Sequence, residues 1–275
     1  MSKLTRTQVI LFPFDQFGNA GTGAGAALLY DYIAELIDDN SQETRTVRSA
    51  SYDQLVGMQE ATFPHVKALQ TWQTVGKQTL RHALKAKQRV LWLGGNHLSV
   101  LPVYEELGSE TLVVQFDAHL DVYQLHDVSP HPANGNFLLH AEGSLPSIVN
   151  VGHRDLFLPR KEIERTFTAA HSALDVHRDT DRIAKDLEKR SEKAKRVWID
   201  IDIDALDPAH APAVHHPLPC GLSSAQLLRL LDAVFTGEVV GVSFSEFDPG
   251  RDRNETTLTL LGWLIEWILL RWYEE

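Results

Sequence analysis

The acidic and imidazole side chains of this sequence gather in short clusters, each directly after an apolar run. Leu91-Trp92-Leu93 leads into Gly94-Gly95-Asn96-His97, and Val113-Val114-Gln115-Phe116 leads into Asp117-Ala118-His119-Leu120-Asp121. Val197-Trp198 opens the segment Ile199-Asp200-Ile201-Asp202-Ile203-Asp204-Ala205-Leu206-Asp207-Pro208, and Val242-Ser243-Phe244 precedes Ser245-Glu246-Phe247-Asp248-Pro249. In extended chain, positions i, i+2 and i+4 point to one face, so Asp117, His119 and Asp121 are expected to converge. Asp202 and Asp204 repeat that spacing, with Asp200 one step deeper. Carboxylates crowded this closely raise one another's pKa and oppose folding unless a cation joins them. Oxygen-rich ligands with one or two imidazoles suit Mn²⁺ or a similar borderline-hard ion, and no cysteine lies in these motifs. The number of carboxylates favours two ions sharing an aspartate over one. His97, after two glycines that let the backbone turn tightly, is a further candidate ligand. Taken singly, each motif also fits solvated turn acids or a capping histidine; their joint occurrence after apolar strands is what favours metal.

These clusters require strands to carry them. Short β-branched runs alternate with longer stretches of helical period, the pattern of an α/β protein with a mainly parallel sheet. Strands are expected at Val9–Phe12, Val90–Leu93, Leu112–Phe116, Ile148–Val151, Val197–Ile201 and Val239–Phe244. Helices are expected at Gly25–Asp38, Val66–Lys87 and Ser223–Phe235, where apolar residues recur every three or four positions. Ser223-Ser224 supplies an N-cap for the last of these. In open α/β sheets functional residues collect just past the carboxyl ends of the strands, which is where the polar clusters lie.

Composition narrows the setting. With 26 Lys+Arg against 37 Asp+Glu in 275 residues, the net charge of −11 argues against a nucleic-acid partner. Hydrophobic residues at 43% can furnish a sizeable core, and the 23% charged residues are ordinary globular values, against disorder. The one cysteine, Cys220, excludes an internal disulfide and a cysteine-rich zinc module, and agrees with a reducing compartment. The N-terminal apolar run Val9–Phe14, broken by Pro13, is too short for a signal-peptide core, so a cytoplasmic location is expected. Glu266 and Arg271 interrupt the apolar stretch Leu258–Tyr273, which reads as a packing helix and not as a membrane span. No linker or repeat is apparent, and one domain over 1–275 is expected.

The same residues resemble the ureohydrolase family of arginase, agmatinase, formiminoglutamase and their relatives. Its signatures are a Gly-Gly-Asp-His turn, an Asp-Ala-His-x-Asp strand end, and a Ser-x-Asp-x-Asp-x-x-Asp-Pro segment continuing to Ala-Pro. They appear here as Gly94–His97, Asp117–Asp121, and Asp200–Pro208 with Ala211-Pro212. Weaker family features fall at Gly21–Gly25, at Gly152–Asp155 and at Ser245-Glu246. The resemblance implies a three-layer α/β/α fold and two Mn²⁺ per chain. It places His97, Asp121 and the bridging pair Asp117 and Asp202 on one ion, and His119 and Asp204 with the same pair on the other. A hydroxide between the ions would attack the central carbon of a guanidinium or formimino group. Glu246 matches the family's substrate-facing acid, which would pair with a planar guanidinium; a strand-end surface glutamate is the alternative. A homo-oligomer is also implied, with Trp263, Trp267 and Trp272 available for contacts or for the core.

Three departures bear on function. Asn96 stands where the family usually has Asp, and Asp200 where it often has Ser. Asn134, in Asn134-Gly135-Asn136-Phe137, stands where many relatives place a proton-relaying His, and an asparagine cannot carry a proton at neutral pH. His126 and His131 lie in the same loop, His131 being nearer, and either would serve as the substitute. Arg154 is expected to meet a substrate carboxylate or an acidic neighbour, and Asp207 to shape the turn before Pro208. The leading expectation is a C–N hydrolase of a small guanidino, amidino or formimino compound, with no membrane partner. The alternatives are a metal-binding relative that has lost catalysis and serves a regulatory or structural role, and a Zn²⁺-dependent amide deacetylase.

Overall fold

The computed structural model describes residues 5–45, 51–63, 66–124 and 132–274. Among them the strands are β1 (Thr7–Phe12), β2 (Val56–Glu60), β3 (Arg89–Gly94), β4 (Thr111–Phe116), β5 (Ser147–His153), β6 (Ala169–Ser172), β7 (Arg196–Asp202) and β8 (Val239–Ser245). The helices are α1 (Thr22–Gln42), α2 (Tyr52–Leu55), α3 (Val66–Gln70), α4 (Trp72–Lys85), α5 (Leu101–Leu107), α6 (Arg160–Thr166), α7 (Ala173–Arg178), α8 (Thr180–Lys193), α9 (Ser224–Val234) and α10 (Thr256–Glu274). All strands join one sheet in the order β2-β1-β3-β8-β7-β4-β5-β6, and every pairing is parallel.

Side chains alternate across the pleat and divide the core in two. Val9, Leu91, Val114, Ile199 and Val242 face one way and pack with Leu29 and Ile33 of α1, Leu187 of α8, and the inner residues of α9 and α10. Ile10, Trp92, Val113 and Trp198 face the other way, toward Leu80 of α4 and Val103 and Tyr104 of α5. Helices therefore cover both faces, giving the three-layer α/β/α arrangement. α9 opens with a reciprocal cap in which Ser223 and Gln226 each bond the other's backbone amide. α10 buries Leu261, Leu264, Ile265, Ile268 and Leu269 in the core while Trp263 faces outward. Among the described residues, no helix is long and apolar enough to cross a membrane.

The six expected strands are all present. β2 and β6 are additional; they sit at the two ends of the sheet. The second face of the sheet changes character along its length. Trp198, Asp200 and Asp202 project from that face of β7, and Val113, Gln115 and Asp117 continue the same alternation along and just past β4. On β8, Ser243 and Ser245 alternate with inward Val242 and Phe244. The carboxyl ends of four adjacent strands, β3, β8, β7 and β4, thus place a buried polar surface beside α5.

Candidate metal centre

Each of these strands hands its cluster to a tight turn. After β3, Gly94 and Gly95 run so close to Ser99 and to the Phe14 carbonyl that a Cβ would collide with them. His97 then begins a short 3-10 turn, His97–Val100. β4 stops at Phe116, so Asp117, His119 and Asp121 do not converge by strand alternation. A turn splits them, and Asp121 takes a left-handed φ of 50°. Asp202 ends β7, and Asp204 lies in the 3-10 turn Ile203–Ala205. Glu246 follows β8 at a φ of 69°. Such backbone is uncommon for residues with a Cβ and costs of order 1–3 kcal/mol, which the surrounding contacts must offset.

The result is two groups of ligand atoms that share one aspartate. In the first, His97 Nδ1 lies 2.8 Å from Asp121 Oδ2, 3.2 Å from Asp117 Oδ2 and 3.2 Å from Asp202 Oδ2. In the second, His119 Nδ1 lies 2.9 Å from Asp204 Oδ2 and 3.8 Å from Asp117 Oδ1. Asp117 gives one oxygen to each group. Asp202 points Oδ2 at the first group, while its Oδ1 accepts from the Asp204 amide at 2.9 Å. His97, Asp117 and Asp121, and likewise Asp117, His119 and Asp204, present ligand atoms within 4.8 Å of one another.

These atoms fit a cation. His97 Nδ1, Asp117 Oδ2 and Asp121 Oδ2 are buried and make no hydrogen bond of proper geometry, which would be costly if nothing else were to engage them. Protonation records the same conflict. Burial and the neighbouring Asp121 push Asp117 up to about 7 despite the opposing pull of His97. Burial and Asp204 hold Asp202 well above the usual carboxylate range. Burial opposes the charge on His119, but its bond to Asp204 prevails and raises it to about 10. Asp204 is likewise disfavoured as an anion by burial, yet His119 brings it down to about 2.

The model described as "Arginase family" matches residues 6–270. The chain belongs to the arginase family. It is 33% identical over 187 residues to a mitochondrial arginase of Medicago truncatula, covering 63% of this chain and 52% of that protein. It is 36% identical over 201 residues to an N(1)-aminopropylagmatine ureohydrolase of Thermus thermophilus, covering 68% and 64%. The matched stretch thus spans between half and two thirds of these relatives. A hypothetical agmatinase from Burkholderia thailandensis shares the fold with a TM-score of 0.79 at 21% identity, covering 98% of this chain and 85% of that one. Arginase from Bacillus subtilis shares it with a TM-score of 0.77 at 20% identity, covering 96% and 98%.

Against that family background the remaining site residues take definite places. Glu246 is buried. Its Oε1 accepts from the His97 amide at 2.9 Å and its Oε2 from Asn19 Nδ2 at 2.7 Å. Burial raises its pKa to about 7, although these two donors pull it back. Asn96 Nδ2 donates to the Gln16 carbonyl at 3.1 Å, and its Oδ1 is buried without a partner among the described residues. Asn134 stands beside Asn96 at Gly18, where a Cβ would press on both side chains. His126 and His131 lie outside the described residues. Asp207 braces its turn, accepting from the amides of Ala209 and Gly221.

Among the described residues Arg154 forms no ion pair with an acidic side chain. Its guanidinium donates to four backbone carbonyls: Ala205 at 2.8 Å, Gly152 at 3.3 Å, Asp204 at 2.5 Å and Leu218 at 3.2 Å. It fastens the turn that carries Asp204. Two further features escape motif reading. Asp200 accepts from Tyr104 and Ser243 and contacts His97, joining residues 96, 43 and 103 positions away. His216 sets its ring 6.5 Å from His119 and nearly perpendicular to it. The His215-His216 pair was visible in the sequence, but nothing there tied it to His119.

Proposed function

We propose that this chain is a binuclear Mn²⁺-dependent hydrolase that cleaves a C–N bond in a guanidino, amidino or formimino compound and releases urea or an analogue. The observation that carries this is Asp117, whose two oxygens serve two separate His/Asp groups at the ends of adjacent strands. The relatives named above, an arginase and an aminopropylagmatine ureohydrolase, bear names that point to guanidino substrates. His97, Asp121, Asp117 and Asp202 would hold one ion, and His119, Asp204 and the shared Asp117 the other, with Asp202 as a second bridge if its Oδ1, bonded here to the Asp204 amide, turned to that ion. Two bound cations supply a nucleophile near neutral pH by lowering the pKa of water.

The protein's own groups do the rest. The Glu246 carboxylate, held from two sides by Asn19 and the His97 amide, keeps a further lone pair on each oxygen. It can take two N–H bonds of a planar guanidinium and turn the central carbon toward the centre. Asn134 would contribute a hydrogen bond but no proton, which leaves the nearer loop histidine, His131, as the group to protonate the leaving amine. The division of ligands into two groups also favours two ions over the single Zn²⁺ of a deacetylase. We further place the whole of 1–275 in one domain, acting in the cytoplasm on a small molecule as a homo-oligomer.

Metal analysis coupled to a screen for urea and ammonia release, over guanidino, ureido and formimino compounds with added Mn²⁺, tests this reading. Two Mn²⁺ per chain and turnover abolished in Asp117→Ala are expected. A chain that takes up no Mn²⁺ would end it. Full loading without release from any compound would leave the binding half standing and remove the hydrolase.

A further inference from the structure

We infer that Asp200 is the residue that positions His97 for its metal, through a buried relay that also engages Tyr104, Ser243 and Trp198. The inference rests on the metal-centre reading above and assigns a role to a residue outside the ligand set.

Asp200 is fully buried, and both of its oxygens are engaged. Oδ1 accepts from Ser243 Oγ at 2.5 Å, and Ser243 Oγ in turn accepts from Trp198 Nε1 at 3.0 Å. Oδ2 accepts from Tyr104 Oη at 2.7 Å and lies 2.9 Å from His97 Nε2. A carboxylate can only accept, so the proton in the last contact sits on Nε2. In the neutral imidazole that a metal requires, that choice fixes the tautomer: Nδ1, which faces Asp121, Asp117 and Asp202, then turns its lone pair toward the space between them. Asp200 is therefore the carboxylate of a carboxylate–histidine–metal arrangement, which sets ring orientation and tautomer and raises the basicity of the ligand.

The position of Asp200 in the sheet accounts for the precision. It is on β7, two residues before Asp202, on the same face and one pleat deeper. The backbone that delivers the ligand Asp202 thus also delivers the group that aims His97. The relay takes Tyr104 from α5, Ser243 from β8 and Trp198 from β7 itself, so two strands and a helix hold the carboxylate still.

The test uses Mn²⁺ alone as probe on the full chain. Asp200→Asn keeps the shape and one acceptor oxygen while removing the charge; Tyr104→Phe keeps the carboxylate and removes one of its donors. Outer-shell partners of metal-bound histidines are worth about 10- to 100-fold in affinity. Asp200→Asn should weaken binding of one of two Mn²⁺ by roughly tenfold or more, with the metal-free far-UV circular dichroism unchanged. The visible absorption of the Co²⁺-loaded protein should shift, a change that a purely structural role would not produce. Tyr104→Phe should show the same effects in smaller degree. Wild-type Mn²⁺ affinity together with an unaltered Co²⁺ spectrum in Asp200→Asn would overturn the inference while leaving the metal centre in place. A wild-type chain that binds no Mn²⁺ would overturn both. If Asp200→Asn does not fold, Tyr104→Phe decides alone: weakened Mn²⁺ binding supports the relay, and unchanged binding refutes it.

Discussion

The two halves of the metal centre are built differently. The His97 half is sealed: its imidazole is 2% exposed, with carboxylates on both ring nitrogens and Asp200 anchored to α5 and β8. The His119 half opens outward. Its ring is 28% exposed, is paired through one nitrogen to Asp204, and faces the exposed His216. A sealed ligand set has its geometry fixed before any ion arrives, whereas an open one leaves room for a reactant to approach. On the proposed reading the inner half would serve as the anchor and the outer half as the working face, with Asp117, which faces both, coupling them.

The coupling predicts the largest effect. Asp117→Ala should remove Mn²⁺ from both halves at once, lowering stoichiometry from two per chain to none and activity below detection, as read by metal analysis and product release. Asp202→Ala should also end activity, since it opens the inner half and frees the Asp204 amide. Substitutions confined to one half should separate them. His119→Ala should leave one tightly held ion, whereas His97→Ala should cost the anchored one and leave one loosely held ion; equal affinity for the remaining ion in both variants would show that the halves are not distinct.

Next in size is the response to pH, which contrasts the metal-free and loaded chains. Without metal, Asp117 and Glu246 titrate near 7, having been raised by burial from the ordinary carboxylate range. Between about pH 4 and 7 the folded chain therefore binds more protons than the unfolded one, and its stability falls as pH rises. His119, raised to about 10 against the pull of burial, contributes stability below about pH 6.5 that is lost as pH climbs through 10. Asp204 runs the other way. Held near 2, it contributes above about pH 4, and that part is lost only in strong acid. Mn²⁺ competes with these protons for the same oxygens and imidazoles, so the melting-temperature gap between loaded and chelator-treated protein should widen from pH 5 to pH 9. A gap that stays constant or narrows would mean that the ion does not bind these groups.

The halves also differ in how readable they were. The apolar runs of the inner strands announced themselves because they are buried on both faces, and all six were found. β2 and β6 were not, because edge strands such as Ala169–Ser172 are short and only half-buried. The expected strand Val197–Ile201 put Asp200 one step deeper than Asp202. What it could not show was the partner list: Tyr104 and Ser243 come from other elements, and only the sheet order brings them together. Strand periodicity also misjudged Asp117–Asp121, since the left-handed Asp121 and the end of β4 at Phe116 replace extended chain by a turn. Arg154 was expected to meet a substrate carboxylate or an acidic neighbour; the fold instead gathers four carbonyls around its guanidinium, which no motif announces.

That arrangement yields a smaller prediction on the outer half. Arg154→Ala would leave the carbonyls of Asp204, Ala205, Gly152 and Leu218 short of a donor. Hydrogen bonds from a charged donor contribute about 1.5–3 kcal/mol each, partly recovered by water at this half-buried position. The turn carrying Asp204 should loosen while the His97 half stays intact. Weaker retention of one Mn²⁺, with the other unchanged, and a melting temperature lower by several degrees are the expected readouts; parallel loss of both ions would contradict the separation.

The smallest effect should come from the edge of the sealed half, at Asn19. Its amide is one of two donors on Glu246, reaching from the loop before α1 to the turn after β8. Asn19→Ala leaves the His97 amide in place, so Glu246 keeps one anchor and loses the other. No metal ligand is touched, and Mn²⁺ stoichiometry should stay at the wild-type value. A carboxylate freed on one side can rotate, and its remaining charge is less well compensated, so its pKa should move further up from about 7. A guanidinium would then find its partner misaligned and more often protonated. KM should rise several-fold, most at the acid end of the profile, with a smaller change in kcat. If kcat falls while KM holds, Asn19 acts on the reacting centre itself, and the boundary between anchor and substrate grip must be drawn elsewhere.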